Sequence, residues 1–120
     1  MKNKKLSRLE YEVTQLGETD PPFSHPGFGS RPGLLICVCC SNELFSTSQK
    51  FESGSGWPSF SSPSNKDSVS SRVDNSHGMK RTEVHCSKCQ AHLGHVFEDG
   101  PAPSGLRYCI NGVALKFQQT

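Results

Sequence analysis

The chain has 120 residues, enough for one domain, with 32% hydrophobic residues and a formal charge of +2. So thin an apolar supply leaves a small domain short of core, and a metal, disulfides or a partner would make up the difference. The near-zero charge argues against a nucleic-acid or anionic-membrane surface, and no apolar run reaches the roughly 18 residues of a membrane span.

The start is basic, Lys2 to Lys5, and reads as a solvated terminus. No apolar stretch follows it as in a secretory signal, so a cytoplasmic location is expected, where paired cysteines favour metal binding or catalysis over disulfide staples. Leu6, Leu9, Val13 and Leu16 fall at helical spacing and Gly17 follows as a stop, which predicts a short amphipathic helix over about 5–16. Residues 17–33 are rich in proline and glycine and read as an irregular connector. Leu34, Leu35 and Ile36 run into a first cysteine pair and suggest a strand feeding a turn. Residues 53–76 have the Ser, Asn, Gly and Pro content of a long loop, with one apolar island at Trp57 and Phe60. Strand patterning resumes over Thr82–Cys86, His92–Phe97 and Arg107–Phe117, the last two separated by a turn at Gly100–Pro103. The expected architecture is a single domain over 1–120: a helix in front and a mainly β body over 34–117.

Cys37 and Cys40 form one C-x-x-C and Cys86 and Cys89 another. Two residues between thiolates let a tight knuckle aim both sulfurs at one tetrahedral ion, and two knuckles complete its ligands. The long segment 41–85 between the pairs means that the knuckles meet only through folding, and closing such a loop is where a metal clip stabilises most. Thioredoxin-type dithiols are the alternative, but neither pair lies in a βαβ context. One structural zinc is therefore expected on Cys37, Cys40, Cys86 and Cys89, with a charge of about −2 for the thiolate cluster bringing the protein near neutral. Cys39 is left as a spare, either a small residue in the knuckle turn or a redox thiol.

Cys109 remains. Period two along a strand puts Arg107, Cys109 and Asn111 on one face, where a guanidinium and an amide could favour the thiolate and hold a polar oxygen beside it. The alternative is a buried, inert thiol. His92 and His95 come just before it, and a hairpin would bring them close enough for an imidazole to activate the thiol or act as an acid. Three apart, they would face opposite ways on a regular strand, so Gly94 is expected to mark a bulge that re-aims one of them. His25, His77 and His85 lack this context; His85 sits beside the second knuckle. Trp57, within Gly54–Phe60, reads either as core filling or as an aromatic wall against a ligand such as a thioether methyl group.

Taken in order, Gly56-Trp57-Pro58-Ser59-Phe60, Ser76-His77-Gly78-Met79, His92-Leu93-Gly94-His95-Val96-Phe97, Asp99-Gly100-Pro101 and Arg107-Tyr108-Cys109-Ile110-Asn111 resemble the B-type methionine sulfoxide reductases. Pro21-Pro22-Phe23 and the two C-x-x-C pairs fit the zinc-containing branch, and the resemblance spans about residues 6–117. It implies two antiparallel sheets in a β-tent-like arrangement, with the zinc away from the active site. It implies reduction of methionine-(R)-sulfoxide in peptides and proteins with thioredoxin as reductant; another thiol could serve in its place, and a monomer is expected. On this chain Cys109 would be the nucleophile, and His92 and His95 would orient or protonate the sulfoxide oxygen. Asn111 and Arg107 would complete the polar surroundings, Trp57 would pack on the substrate methyl group, and Phe97 or Val96 would lie near the pocket. Many members carry a resolving cysteine before the tryptophan, and that position is Ser55 here. The sulfenic acid on Cys109 is then expected to be reduced by an external thiol, with Cys39 as the other resolving group within the chain. The rival reading is a non-catalytic zinc-binding β module that cages a ligand with its aromatics.

Overall fold

The computed structural model describes residues 6–21, 32–51, 53–75, 78 and 80–119. The first element is helix α1, Arg8–Leu16. It begins at Arg8 because Ser7 and Glu10 close a capping box, with Ser7 N–H donating to Glu10 Oε1 at 2.9 Å and Glu10 N–H to Ser7 Oγ at 3.1 Å. It ends at Gly17, whose φ of 76° lets Glu18 N–H turn back to the Glu12 carbonyl at 3.1 Å. The expected stop is met; the buried face differs from the expected stripe. Val13 and Thr14 are buried, whereas Leu9 is 37% and Leu16 59% exposed. Thr14 is admitted to the packed face because its hydroxyl donates to the Glu10 carbonyl at 2.7 Å.

The β body follows as β1 (Gly33–Cys37), β2 (Glu43–Ser46), β3 (Lys50–Phe51), β4 (Ser59–Phe60), β5 (Val69–Asp74), β6 (Arg81–Cys86), β7 (His92–Phe97), β8 (Arg107–Ile110) and β9 (Leu115–Gln119). They build two antiparallel sheets, one ordered β2-β1-β9 and one ordered β3-β4-β8-β7-β6-β5. Leu35, Leu44, Phe45, Phe60, Leu93 and Ile110 are fully buried in one cluster, with the Phe45 and Phe60 rings stacked at 4.4 Å. α1 packs on β7 and on the 3-10 turn Gly112–Ala114.

Two expectations are corrected. Residues 107–117 are not one strand but two, in different sheets, because Asn111 and the 3-10 turn carry the chain from one to the other. The Asn111 amide fixes that corner by donating to the Leu93 carbonyl at 2.9 Å while its oxygen accepts from Asp20 N–H at 3.0 Å. Residues 53–76 are not all loop, since they contain β4 and β5. β5 is an edge strand held by backbone pairing to β6, with a polar sequence that carries no alternation to read.

The hairpin of β6 and β7 has the expected irregularity. Val84 pairs with Gly94 and His85 with His92, so Leu93 is an extra residue on β7 and its side chain enters the core. That slip turns His92 to the same face as His95, with ring centroids 5.7 Å apart. Gly94 has a separate role, since a Cβ there would run into the Cys109 carbonyl oxygen of β8. Backbone cannot step aside cheaply. Gly94→Ala should therefore lose about 3 kcal/mol and lower the melting temperature by roughly 10 °C, read by thermal denaturation; an unchanged midpoint would contradict the close approach.

Candidate active site and metal centre

The two knuckles are turns of the same construction. Cys37 N–H reaches the Asn42 carbonyl at 2.8 Å and Ser41 N–H the Cys37 carbonyl at 2.9 Å; Cys86 N–H reaches Ala91 and Gln90 N–H reaches Cys86, both at 2.9 Å. Each turn closes on a left-handed residue, Ser41 at φ 67° and Gln90 at φ 65°. They bring the sulfurs of Cys37, Cys40, Cys86 and Cys89 within 4.8 Å of one another. The Cys37–Cys89 and Cys40–Cys86 sulfurs are each 3.6 Å apart, near the roughly 3.8 Å separation of thiolates about 2.3 Å from one tetrahedral ion. Backbone and side-chain amides point at the sulfurs as well: Cys39 N–H lies 3.4 Å from Cys37 Sγ and Asn42 Nδ2 3.6 Å from Cys86 Sγ. The sulfurs compete for protons. The Cys37 thiol draws Cys86 down to about 4 and is itself pushed up, first by that hydrogen bond and then by burial, while burial pushes Cys89 up to about 12. A cation among the sulfurs would favour thiolates over thiols. The cluster thus fits a metal ion. Cys39 stays apart from it, buried in the core with its sulfur 3.5 Å from Gln15 Nε2 of α1.

The second site lies on one face of the six-stranded sheet. The register aligns Ser59, Cys109, His95, Glu83 and Arg72 in a single row across β4, β8, β7, β6 and β5. Cys109 is half-buried, and its Sγ lies 3.9 Å from Ser55 Oγ. Burial pushes its thiol up; the Ser55 hydroxyl and the Arg107 guanidinium pull the other way without prevailing. The thiolate-favouring pocket expected from Arg107 is thus overruled by desolvation. Arg107 spends its fork on Asp99, at 2.9 and 3.2 Å, and lies 4.6 Å above the Phe97 ring.

His95 Nε2 meets Asp74 Oδ2 at 2.9 Å, and Arg81 Nη2 flanks that carboxylate at 3.5 Å. His92 is more deeply set. Its Nδ1 lies 2.7 Å from Glu83 Oε2, though off the line of a full hydrogen bond. His85 shares Glu83 at 3.4 Å and meets Arg72 Nη2 at 2.9 Å. Burial pulls both His92 and His85 below the usual imidazole range, with Glu83 opposing it.

Trp57 closes the space above the thiol. Its indole N–H is bound by Asp20 through the carboxylate at 2.8 Å and the carbonyl at 2.9 Å, and Asp20 in turn is tied to Asn111. The result is a cavity of about 90 Å³ whose wall includes Thr19, Trp57, His95, Phe97, Cys109 and Asn111. That suits a methyl group and its heteroatom better than a bulky ligand. Of the residues expected at this site, Cys109, His95, Asn111, Trp57 and Phe97 are brought together. His92 stands behind His95, and Val96 faces the other way: it pairs with Tyr108 and lines a separate cavity of about 380 Å³ on the opposite face. The Pro22-Phe23 part of the expected motif, with His25, His77 and Met79, lies outside the described residues. The sequence alone does not mark Asp20 or Asp74 as partners of this site. Glu83 carried a weak signal, since it alternates with His85 on β6, but which carboxylate meets which histidine depends on cross-strand register.

Comparison with known proteins agrees with this geometry. The SelR domain matches residues 6–119. The peptide methionine sulfoxide reductase MsrB of Thioalkalivibrio sulfidiphilus is 51% identical over 95% of this chain and 84% of its own length. The MsrB of Herminiimonas arsenicoxydans is 50% identical over 96% and 85%, and that of Hahella chejuensis 47% over 93% and 81%. With a thiol, a carboxylate-held imidazole and an aromatic wall in one small cavity, and with such similarity along nearly its whole length, the chain belongs to the SelR-domain family of MsrB peptide methionine sulfoxide reductases.

Proposed function

We propose that the chain is a peptide-methionine (R)-S-oxide reductase in which Cys109 is the nucleophile. The observation that carries this reading is the cross-strand pairing of Cys109 with His95, both opening with Trp57 into one small cavity. The substrate methyl group rests against Trp57 and Phe97, and the sulfoxide oxygen is turned towards His95 and Asn111. Fixing methyl and oxygen together selects the R epimer. The Cys109 sulfur gives up its proton and attacks the sulfoxide sulfur, while the oxygen, protonated with His95 as donor because it is otherwise a poor leaving group, departs as water and leaves a sulfur–sulfur bond between Cys109 and the methionine. Water then attacks the Cys109 sulfur and breaks that bond, so methionine departs with the electron pair and Cys109 is left as a sulfenic acid. His92, held by Glu83, positions His95 from behind, and Arg107 supplies positive charge beside the thiol. Reduction of each methionine sulfoxide epimer with dithiothreitol tests this: the R epimer should turn over and the S epimer not, and Cys109→Ser should lower the rate by roughly 10⁴-fold or more. A Cys109→Ser variant that keeps the activity refutes the mechanism.

The sulfenic acid is recycled by thioredoxin or another external thiol, which condenses with it, releases water and is displaced by a second thiol. Ser55 sits nearest Cys109 at 3.9 Å and cannot form a disulfide, and Cys39 is buried beneath α1. After one turnover without reductant, non-reducing peptide mapping should find no intramolecular disulfide in the wild-type chain and a 55–109 disulfide in Ser55→Cys; a Cys39–Cys109 disulfide would overturn direct external reduction.

The ion suited to Cys37, Cys40, Cys86 and Cys89 is zinc, on the strength of four thiolates at tetrahedral spacing. When bound it supplies no redox chemistry and clips the two sheets together. We read the chain as a single, monomeric, cytoplasmic domain. Metal analysis should find one zinc per chain, and Cys86→Ser should abolish it together with cooperative folding, since such sites contribute about 10 kcal/mol or more. A zinc-free variant that melts as the wild type does would refute a structural role.

A further inference from the structure

Behind the cavity, the polar sheet face gathers Glu83, His85 and His92 into a second cluster whose ligand atoms all lie within 4.8 Å of one another. We propose that Glu83, His85 and His92 form a second metal site, taking a borderline divalent cation such as Zn²⁺ through one carboxylate oxygen and two imidazole nitrogens. Two imidazoles and a carboxylate are a donor set for such ions, and they leave a coordination position open. Glu83 Oε2 stands at the centre, 2.7 Å from His92 Nδ1 and 3.4 Å from His85 Nε2. These separations need only small rotamer shifts to surround an ion about 2.1 Å from each donor. His92 supplies the independent sign. It is 4% exposed, its Nδ1 leans on Glu83 at 2.7 Å and its Nε2 has no hydrogen-bond partner, an arrangement that costs free energy unless something satisfies it.

Positive charge is already welcome there. Arg72 lays its guanidinium against the same donors, with Nη2 2.9 Å from His85 Nε2 and Nε 3.6 Å from Glu83 Oε1. Its side chain is 64% exposed, so it can swing into solvent at small cost, leaving the donors to an ion. Arg72 is therefore a competitor and a removable lid. A bound ion would fix the His92 ring, whose centroid is 5.7 Å from that of His95. The binding itself does not depend on the reductase reading.

The test is a Co²⁺ titration of untagged protein already carrying one zinc on its four cysteines. One further equivalent should bind in the micromolar range, giving weak d–d bands without thiolate-to-cobalt charge transfer. Glu83→Gln and His85→Ala should weaken it by at least about tenfold, and Asp74→Ala, a carboxylate outside the set, should not. Arg72→Ala changes an exposed residue and should tighten binding severalfold. No second equivalent, a thiolate charge-transfer band, or unchanged or weaker binding in Arg72→Ala would each overturn the proposal.

Discussion

The four-cysteine clamp joins two turns from different sheets. The first knuckle links β1 to β2 in the small sheet, and the second links β6 to β7 in the large one. Its sulfurs come from residues far apart in sequence, so an ion held among them would close the long segment that contains β2 to β6. In a chain with 32% hydrophobic residues, such a closure would supply what a larger core otherwise does. It also reaches the active site without touching it. The second knuckle is flanked directly by His85 and His92, so the geometry of the clamp sets where β7 begins and which residues pair across it.

That pairing fixes the electrostatics of the row. Cys109 shares its cavity with an imidazole and an indole and lies beside the Ser55 hydroxyl, and burial outweighs the nearby guanidinium in pushing its thiol up. Each histidine leans on a carboxylate, His95 on Asp74 and His92 on Glu83, and these partners orient the rings. Trp57 is held in the same fashion by Asp20, which lies on the segment entering from α1.

Local signals in the sequence were legible where they were strong. Gly17 marks the end of the helix, whose start lies at Arg8 rather than near 5, and the doubled C-x-x-C marks the four-cysteine cluster. The bulge between the histidines was readable too, because three-residue spacing and Gly94 conflict with a regular strand. What escaped depends on contacts distant in sequence. The run 107–117 keeps a strand-like composition through Asn111, and only the bonds from Asn111 to Leu93 and Asp20 turn it into two strands. Val96 is the exception, since strand alternation, a local signal, is what sends it to the face opposite its neighbour His95. β5 has no apolar alternation because it borders the sheet and rests on β6 alone.

That last strand has a consequence of its own. β5 is the outermost strand of the large sheet, largely exposed along its middle, and Asp74 at its end is the carboxylate that holds His95. Outer strands of this kind open and close locally without global unfolding. An opening of the β5 margin would unhook Asp74 and free the His95 ring to rotate. The orientation of the histidine would then follow the breathing of an edge remote from the thiol in sequence, with amide exchange along 69–74 as its measure.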